Sequence, residues 1–253
     1  MTAVVQSAPA PPRHVLLGTG VHAVTLAEAL AWIDAAIARR QPVYVVTLNG
    51  AMLVQAARDA ALRALVNGAG LVTADGVGVL LAARILGARL AQRVAGIDLA
   101  LALCERAAQT GWRVFLLGAA PGVAAEAAAA LRARFPGLAI AGVWHGFFTP
   151  AEEPAVVEAI RGAAPDVLLV AMGVPRQEAW IGRWHHVLGV PVSMGVGGAL
   201  DVIAGRLPRA PRWMQRLGLE WLYRALREPR RWQVVRTIPP LFWLAVRERW
   251  RRR

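Results

Sequence analysis

Polar side chains stand where two of the predicted strands end. Asp75 follows an apolar run and precedes Gly76-Val77-Gly78. A carboxylate beside glycines, which let a substrate approach, suits a general base. An Asp at this place also suits a helix N-cap, because its carboxylate accepts orphan backbone N–H groups. The sequence leaves both interpretations open, and an ordinary pKa of about 3.9 predicts an ionised side chain at neutral pH.

A second polar pair, Thr47 and Asn49, follows the preceding strand. Asn49-Gly50 is a dipeptide typical of β-hairpins. The next residues, 51–57, have helical character, so we expect a strand-to-helix turn instead. The pair is then placed to hydrogen-bond a polar ligand, with a plain turn as the alternative.

Arg176 and Gln177 open a predicted helix after Gly173 and Pro175. One interpretation is a buried cap or salt bridge. The other is a cation and an amide that meet a phosphosugar.

Several known site types are absent from the sequence. A Walker A loop needs a lysine, and the chain has none. No Asp-x-Asp pair, His-x-x-x-His or Cys-x-x-Cys is present, so we expect no metal site and no resident cofactor. The single cysteine, Cys104, excludes a disulfide scaffold. Gly118–Gly122 is a looser turn than a dinucleotide fingerprint, so a nicotinamide- or S-adenosylmethionine-dependent enzyme is a weak alternative.

The body of the chain alternates β-branched runs with Ala-rich helical stretches, which predicts an α/β fold with a parallel sheet covered on both faces. The 253 residues are 57% hydrophobic and 18% charged, which excludes a disordered chain. The predicted strands are Val43–Val46, Gly70–Thr73, Arg113–Leu117, Ala139–Val143, Val167–Ala171 and Val190–Met194. The predicted helices are Thr25–Arg39, Val77–Leu86, Ile97–Gln109, Val123–Phe135, Glu152–Arg161 and Gln177–His186. Ligands of such sheets bind outside the carboxyl ends of the strands, where the polar turns stand.

The C-terminal segment 206–253 differs from the rest. It holds 14 of the 29 basic residues against three acidic ones, and five of the ten tryptophans. Pro229 and the pair Pro239-Pro240 separate two amphipathic stretches, one over 214–225 and one that runs from Leu241 through Val246 into Arg247 and the terminal arginines 251–253. A solvated helix pair or an RNA-binding surface are alternatives, although no RNA-binding fingerprint is present. Arginines with aromatics favour an anionic membrane surface.

No targeting signal is expected. Residues 1–12 lack the basic start and apolar core of a signal peptide, and we expect them to be a disordered extension. Uncharged runs reach about 17 residues and are broken by polar groups, which is too short for a spanning helix. We therefore expect a cytoplasmic protein.

Six ordered blocks resemble the signature blocks of the WecG/TagA/CpsF family, glycosyltransferase family 26, over roughly residues 15–232, with the last twenty residues outside the match. The blocks are Thr47–Asn49, Thr73–Gly78, Arg93–Asp98, Gly173–Glu178, Gly195–Asp201, and Arg209–Pro211 followed by Gly218–Arg224. The resemblance implies a Rossmann-like core, residues 13–205, and a membrane-docking appendage, residues 206–253, that helps to close the site.

The resemblance also implies an activity. Members are inverting, metal-independent enzymes that transfer a sugar from a UDP-sugar to a polyprenyl-diphosphate-linked saccharide at the inner face of the cytoplasmic membrane. The donated sugars include N-acetylmannosamine, its uronic acid, glucose and glucuronic acid, for teichoic acid, enterobacterial common antigen or exopolysaccharide. No nucleic acid partner is expected.

Site roles carry over by position. The resemblance implies that Asp75 is the base and that Thr47 and Asn49 are the polar pair beside it. The residues that it implies for substrate binding are Gln177, Arg176, Arg93, Asp98, Gly197, Gly198, Arg224 and Arg231. Arg176 replaces a common lysine, and Ala225 interrupts a usual Tyr-Arg-Leu run. A non-catalytic membrane or RNA-binding adaptor with a nucleotide-binding core is the alternative of another class.

Overall fold

The computed structural model describes residues 11–216, 218–227 and 232–252. Its strands are β1 (Arg13–Leu16), β2 (Thr19–His22), β3 (Val43–Leu48), β4 (Leu71–Ala74), β5 (Arg113–Gly118), β6 (Ala139–Trp144), β7 (Val167–Ala171) and β8 (Val192–Gly195). Strands β3 to β8 form a parallel sheet in the order β4-β3-β8-β7-β5-β6, and β1 pairs with β2 in an antiparallel hairpin. The predicted α/β fold with a parallel, Rossmann-like sheet is confirmed.

Helices flank the sheet and also make up the C-terminal segment. They are α1 (Leu26–Arg39), α2 (Gly50–Arg58), α3 (Ala60–Asn67), α4 (Val77–Ile85), α5 (Gly96–Thr110), α6 (Val123–Arg134), α7 (Glu153–Ala163), α8 (Arg176–Leu188), α9 (Ala199–Ile203), α10 (Arg212–Arg216), α11 (Glu220–Arg227), α12 (Trp232–Val235) and α13 (Ile238–Arg251). No helix within the described ranges is both long and apolar enough to cross a membrane.

The sheet separates two apolar clusters, one on each face. Successive residues of β3 show this, because Tyr44 and Val46 belong to one cluster and Val45 to the other. This continuous burial of a strand is typical of parallel sheets covered on both faces. The sheet therefore fixes the positions of the polar turns that follow its strands.

The hairpin β1–β2 was not predicted. Its turn residues Leu17 and Gly18 have φ of 50° and 78°. The type I′ hairpin turn needs positive φ at both central positions and usually has Asn-Gly or Asp-Gly there. Leucine rarely adopts positive φ, so Leu17-Gly18 is not recognisable as such a turn from sequence. Residues 1–10 of the expected extension, which was placed at 1–12, lie outside the described residues.

The proline pair of the C-terminal segment stands at the start of the second predicted stretch. Pro239 and Pro240 lie in the first turn of α13, where proline is tolerated because the first N–H groups of a helix have no partner inside the helix. Pro229 lies outside the described residues. The second amphipathic stretch is therefore part of a 14-residue helix.

Helix α13 returns to the core and packs against α2 and α4. Leu241 is 2% exposed, and its Cδ2 would lie 3.0 Å from a Cβ added at Gly50 and 3.2 Å from one added at Gly78. Both distances are tighter than ordinary contacts, so glycines at the starts of α2 and α4 let the leucine approach. The C-terminal helix is thereby seated next to the polar turns.

Replacement of Leu241 by alanine tests this contact. Loss of a buried leucine typically costs about 2–5 kcal/mol, because apolar contacts are lost and a cavity remains. We expect the free energy of unfolding in urea to fall by about 2–4 kcal/mol in Leu241→Ala. Val246→Ala on the same helix is the matched control, since Val246 is 44% exposed. An equal effect of the two substitutions would contradict the packing of α13.

Candidate active site

A cavity of about 420 Å³ opens at the carboxyl ends of β3 and β4. Its core wall includes Asn49, Asp75, Arg93 and the first residues of α5. The C-terminal segment supplies the opposite wall, with Glu220, Trp221, Ile238, Leu241 and Phe242. Two parts of the chain that are distant in sequence therefore enclose one space, which is polar at the strand ends and largely apolar on the opposite side.

Asp75 is held by backbone groups of the neighbouring segments. Its N–H donates to the carbonyl of Leu48 at 2.8 Å, which extends the strand ladder by one residue. Its Oδ2 accepts a hydrogen bond of 3.2 Å from the N–H of Gly96, the first residue of α5. The N-cap of α4 is Gly76, without a side-chain cap. The N-cap interpretation of Asp75 for its own helix is therefore wrong, and the carboxylate contacts the start of another helix.

Burial changes the acidity of Asp75. Desolvation raises its pKa to about 6, and the carboxylates of Glu220 and Asp98 add to the rise. The Gly96 N–H and the Arg93 guanidinium act in the opposite direction. The expectation of an ordinary pKa is therefore wrong, although a group with a pKa one unit below neutrality is still about nine-tenths ionised at pH 7.

Thr47 and Asn49, the polar pair at the end of β3, have different environments. Asn49 caps α2, because its Oδ1 accepts the N–H of Met52 at 2.9 Å, and it also lines the cavity. Its side-chain NH₂ group is not used by this cap. Thr47 is buried below the cavity, and its hydroxyl donates to the carbonyl of Gly195 at 3.3 Å. A Cβ added at Gly96 would lie 2.8 Å from Thr47 Oγ1, so this threonine packs beneath the start of α5.

Gln177 connects two turns. It is 2% exposed, and its Oε1 accepts the N–H groups of Gly173 at 3.2 Å and of Gly197 at 3.0 Å. Its Nε2 donates to Glu178 at 2.8 Å. Burial raises the pKa of Glu178. The amide is thus occupied by the loops after β7 and β8 and is not among the residues that line the cavity.

Other predicted substrate-binding residues lie around the same edge of the sheet. Arg176 is exposed, lies over the ring of Phe148 at 5.3 Å, and donates to the Phe148 carbonyl at 3.4 Å. Gly197 and Gly198 precede α9, and Gly197 has φ of 53°, which suits glycine. These residues are beside the cavity rather than in its wall.

Arg93 and Asp98 lie near Asp75 because the segment before α5 returns to β4. The N–H of Val94 donates to the carbonyl of Ala74 at 2.9 Å. This bond places Arg93 in the cavity wall, while Asp98 lies in the first turn of α5, outside the lining. The structure thus brings together Asp75, Asn49 and Arg93 of the predicted site.

Two charged residues of the site were not singled out from sequence. Arg209 donates a short hydrogen bond to Asp98, and Glu220 lies 3.5 Å from Arg209 and 3.7 Å from Arg93. Both residues stand in the last of the six blocks, which was the only sequence signal for them. Of the predicted arginines of the appendage, Arg224 lies in α11 with a side chain outside the description, and Arg231 lies outside the described residues.

No group of three or more His, Cys, Asp or Glu side chains in the described parts of the chain is arranged to hold a metal ion. The prediction of a metal-free site stays a prediction.

The outer surface of the C-terminal segment exposes large apolar side chains. Trp243, Val246 and Trp250 on α13 are 59%, 44% and 77% exposed. Their spacing places them on one face of the helix, away from the buried Leu241 and Ala245. The outer face of α13 is therefore apolar and exposed.

Comparison with known proteins agrees with the resemblance. A profile of the Glycosyl transferase WecG/TagA/CpsF family matches residues 14–253. The match includes the last twenty residues, so the expectation that they lie outside the resemblance is wrong.

Three curated relatives share the name N-acetylglucosaminyldiphosphoundecaprenol N-acetyl-beta-D-mannosaminyltransferase. The protein from Bacillus spizizenii is 36% identical over 78% of this chain and 76% of its own length. The protein from Bacillus subtilis is 34% identical over 76% of this chain and 75% of its own length. The protein from Staphylococcus aureus is 37% identical over 78% of this chain and 76% of its own length.

The contacts of Gln177 predict a structural effect of its removal. Gln177→Ala leaves two backbone N–H groups and a buried carboxyl without this partner, and each unsatisfied buried group costs about 1–3 kcal/mol. The two N–H contacts are only partly buried, so we expect the total fall of the free energy of unfolding in urea to be about 2–4 kcal/mol. Arg176→Ala, at the exposed neighbouring position, is the control and should change it by less than about 1 kcal/mol. Wild-type stability of Gln177→Ala would contradict the bridging role.

Proposed function

Because the chain belongs to the WecG/TagA/CpsF family of glycosyltransferases, we propose that it transfers a sugar from a UDP-sugar to a polyprenyl-diphosphate-linked saccharide. The three relatives are named for transfer of N-acetyl-β-D-mannosamine to N-acetylglucosaminyl-diphosphoundecaprenol. We extend that donor sugar and that acceptor to this chain. The uronic acid of N-acetylmannosamine, glucose and glucuronic acid are the other donor sugars to test.

The observation that carries the proposal is the position of Asp75. The carboxylate stands at the carboxyl end of a parallel strand, in a cavity walled by two distant parts of the chain. Its pKa of about 6 makes it a stronger base than an ordinary aspartate, while most of it remains ionised at neutral pH. These are the properties that a general base for a sugar hydroxyl needs.

The proposed reaction is a single displacement with inversion. The acceptor hydroxyl oxygen attacks the anomeric carbon, and the bond from that carbon to the diphosphate oxygen breaks on the opposite face. Asp75 takes the hydroxyl proton as the new bond forms, and UDP leaves with the electron pair. A hydroxyl is a very weak acid, so the base helps only while charge develops in the transition state.

Glu220 is a poorer candidate for the base, although it lines the same cavity. Its carboxylate lies 3.7 Å from Arg93 and 3.5 Å from Arg209, so it is already engaged in two ion pairs. Among the described residues, Asp75 accepts only a backbone hydrogen bond and has no arginine within ion-pair distance. The carboxylate without an ion pair is the one that is free to meet the acceptor hydroxyl.

Arginine provides the cationic charge that a leaving diphosphate requires. Arg93 lies in the wall beside Asp75, and a planar guanidinium suits two phosphate oxygens at once. We propose that arginines and backbone N–H groups take the role that a divalent cation has in other transferases, so that the reaction needs no metal.

A lipid-linked acceptor would account for the exposed apolar face of α13. We propose that Trp243 and Trp250 enter the interface of the cytoplasmic membrane, while the arginines around them meet anionic headgroups. Such charges contribute about 1 kcal/mol each near an anionic surface. The enzyme would then meet its acceptor at the inner face, and the nucleotide donor would reach it from the cytoplasm.

Asp75→Asn tests the base. We expect turnover to fall about 10²- to 10⁴-fold, because the amide does not accept the proton. In the wild-type enzyme, kcat/KM should rise with pH through about 6 and then level, since only the ionised carboxylate is a base. UDP release is measured with a panel of UDP-sugars and a polyprenyl-diphosphate-linked N-acetylglucosamine acceptor, in detergent and with EDTA present.

The matched control is Asp59→Asn, because Asp59 caps α3 and asparagine caps equally well. It should keep wild-type turnover. Near-normal turnover of a folded Asp75→Asn would contradict the assignment of the base. No acceptor-dependent release from the wild-type chain with any donor would favour the non-catalytic adaptor.

The membrane surface is tested with the double variant Trp243→Ser and Trp250→Ser. Both side chains are largely exposed, so the substitutions leave the core packing intact. Binding to vesicles with anionic lipids should weaken at least about tenfold, which corresponds to about 1.4 kcal/mol, and added salt should weaken it further. Val187→Ser, at an exposed valine of α8, is the control. Unchanged vesicle binding of the double variant would contradict this role.

A further inference from the structure

Four charged side chains form a closed ring beside the cavity. Arg93 and Asp98 come from the core, and Arg209 and Glu220 from the C-terminal segment. Arg93 lies 3.7 Å from Glu220 and 3.9 Å from Asp98. Arg209 donates a short hydrogen bond to Asp98 and lies 3.5 Å from Glu220. Each charge therefore has two neighbours of opposite sign, one from its own part of the chain and one from the other part.

The ring is partly shielded from water. The side chains of Arg93, Asp98, Arg209 and Glu220 are 20%, 35%, 25% and 17% exposed. Ion pairs at exposed positions contribute little, because water and salt screen them. Partial burial lowers the local dielectric, so the charges in this ring act on each other more strongly than in a surface pair.

The two arginines differ in how they use their donors. Arg209 donates a hydrogen bond from its Nη2 to Asp98, which joins the C-terminal segment to α5. The distances from Arg93 to its two carboxylates, 3.7 and 3.9 Å, are too long for hydrogen bonds. Arg93 is therefore oriented by charge, and no described residue accepts a hydrogen bond from its guanidinium on the wall of the cavity.

We infer that Glu220 and Arg209 are positioning residues, through which the docked C-terminal segment sets the Arg93 guanidinium for the donor diphosphate. Arg209 fixes the segment to Asp98, and Glu220 balances the charge of Arg93 from the other wall. Without these two residues, Asp98 on the side of the core is the one carboxylate among the described residues that remains within 4 Å of Arg93. This inference rests on the proposed function, because it assigns Arg93 to the diphosphate of that donor.

The ring also acts on the base. The charged groups that face Asp75 are Arg93, Glu220 and Asp98, together with the Gly96 N–H. Glu220 raises the pKa of Asp75 and Arg93 lowers it. Removal of the Glu220 charge should therefore move the acid limb of kcat/KM to lower pH, and removal of the Arg93 charge should move it to higher pH.

The experiment compares Glu220→Gln and Arg209→Gln with the wild-type chain. The matched controls are Glu158→Gln and Arg206→Gln, which remove the same charges from exposed ion pairs with Arg161 and Glu126, outside the ring. UDP affinity is measured by titration calorimetry, and amide hydrogen exchange is followed in peptides of α11.

We expect both ring variants to bind UDP about tenfold more weakly and to exchange the amides of α11 faster, while the two controls match the wild type. Glu220→Asp, which keeps the charge, should restore part of the affinity and keep the acid limb near its wild-type position. The opposite shifts of the acid limb in Glu220→Gln and Arg93→Gln are a signature that a general loss of packing would not give.

The outcomes separate the two proposals. Wild-type UDP affinity and wild-type exchange of α11 in Glu220→Gln would overturn the positioning role. Equal losses in the ring variants and in the controls would also overturn it, because the effect would then be one of net charge. A wild-type chain that binds no UDP and turns over no UDP-sugar would instead overturn the proposed function.

Discussion

The contact of one leucine with two helix starts holds the candidate site together. Leu241 lies against Gly50 and Gly78, the residues at the beginnings of α2 and α4 that follow the polar turns of β3 and β4. A side chain at either glycine would move the leucine, and with it the wall of the cavity. The glycines of these turns therefore serve packing of the C-terminal helix as well as access to the strand ends.

Enclosure by this wall is also what makes the carboxylate chemically distinct. Asp75 would have an ordinary pKa in water, and its raised pKa comes first from desolvation. Because residues of the C-terminal segment line the same cavity, part of the basicity of Asp75 depends on an element more than a hundred residues away in sequence. Fold stability and proton affinity are thus linked through the same packing.

The arginines of the C-terminal segment have different environments. Arg209 is partly buried and tied to Asp98 of the core, while arginines of α13 stand at the surface near exposed tryptophans. A buried charge needs a partner at a defined position, so it fixes the geometry of the groups around it. An exposed charge attracts an opposite charge without a fixed geometry, and salt screens that attraction. A single basic composition therefore supports both site assembly and the proposed contact with an anionic surface.

The sequence by itself determined the α/β alternation, the six strands of the sheet, the polar turns at strand ends and the family, because each is encoded in short segments whose spacing or type is visible locally. It did not reveal the hairpin turn at Leu17, which uses a residue that rarely has positive φ. Only the tertiary structure decided that Gln177 bridges two turns, that Asp75 contacts α5 rather than its own helix, and that Arg209 meets Asp98. The last pair is separated by 111 residues, and such contacts depend on how the elements pack, which no local pattern records.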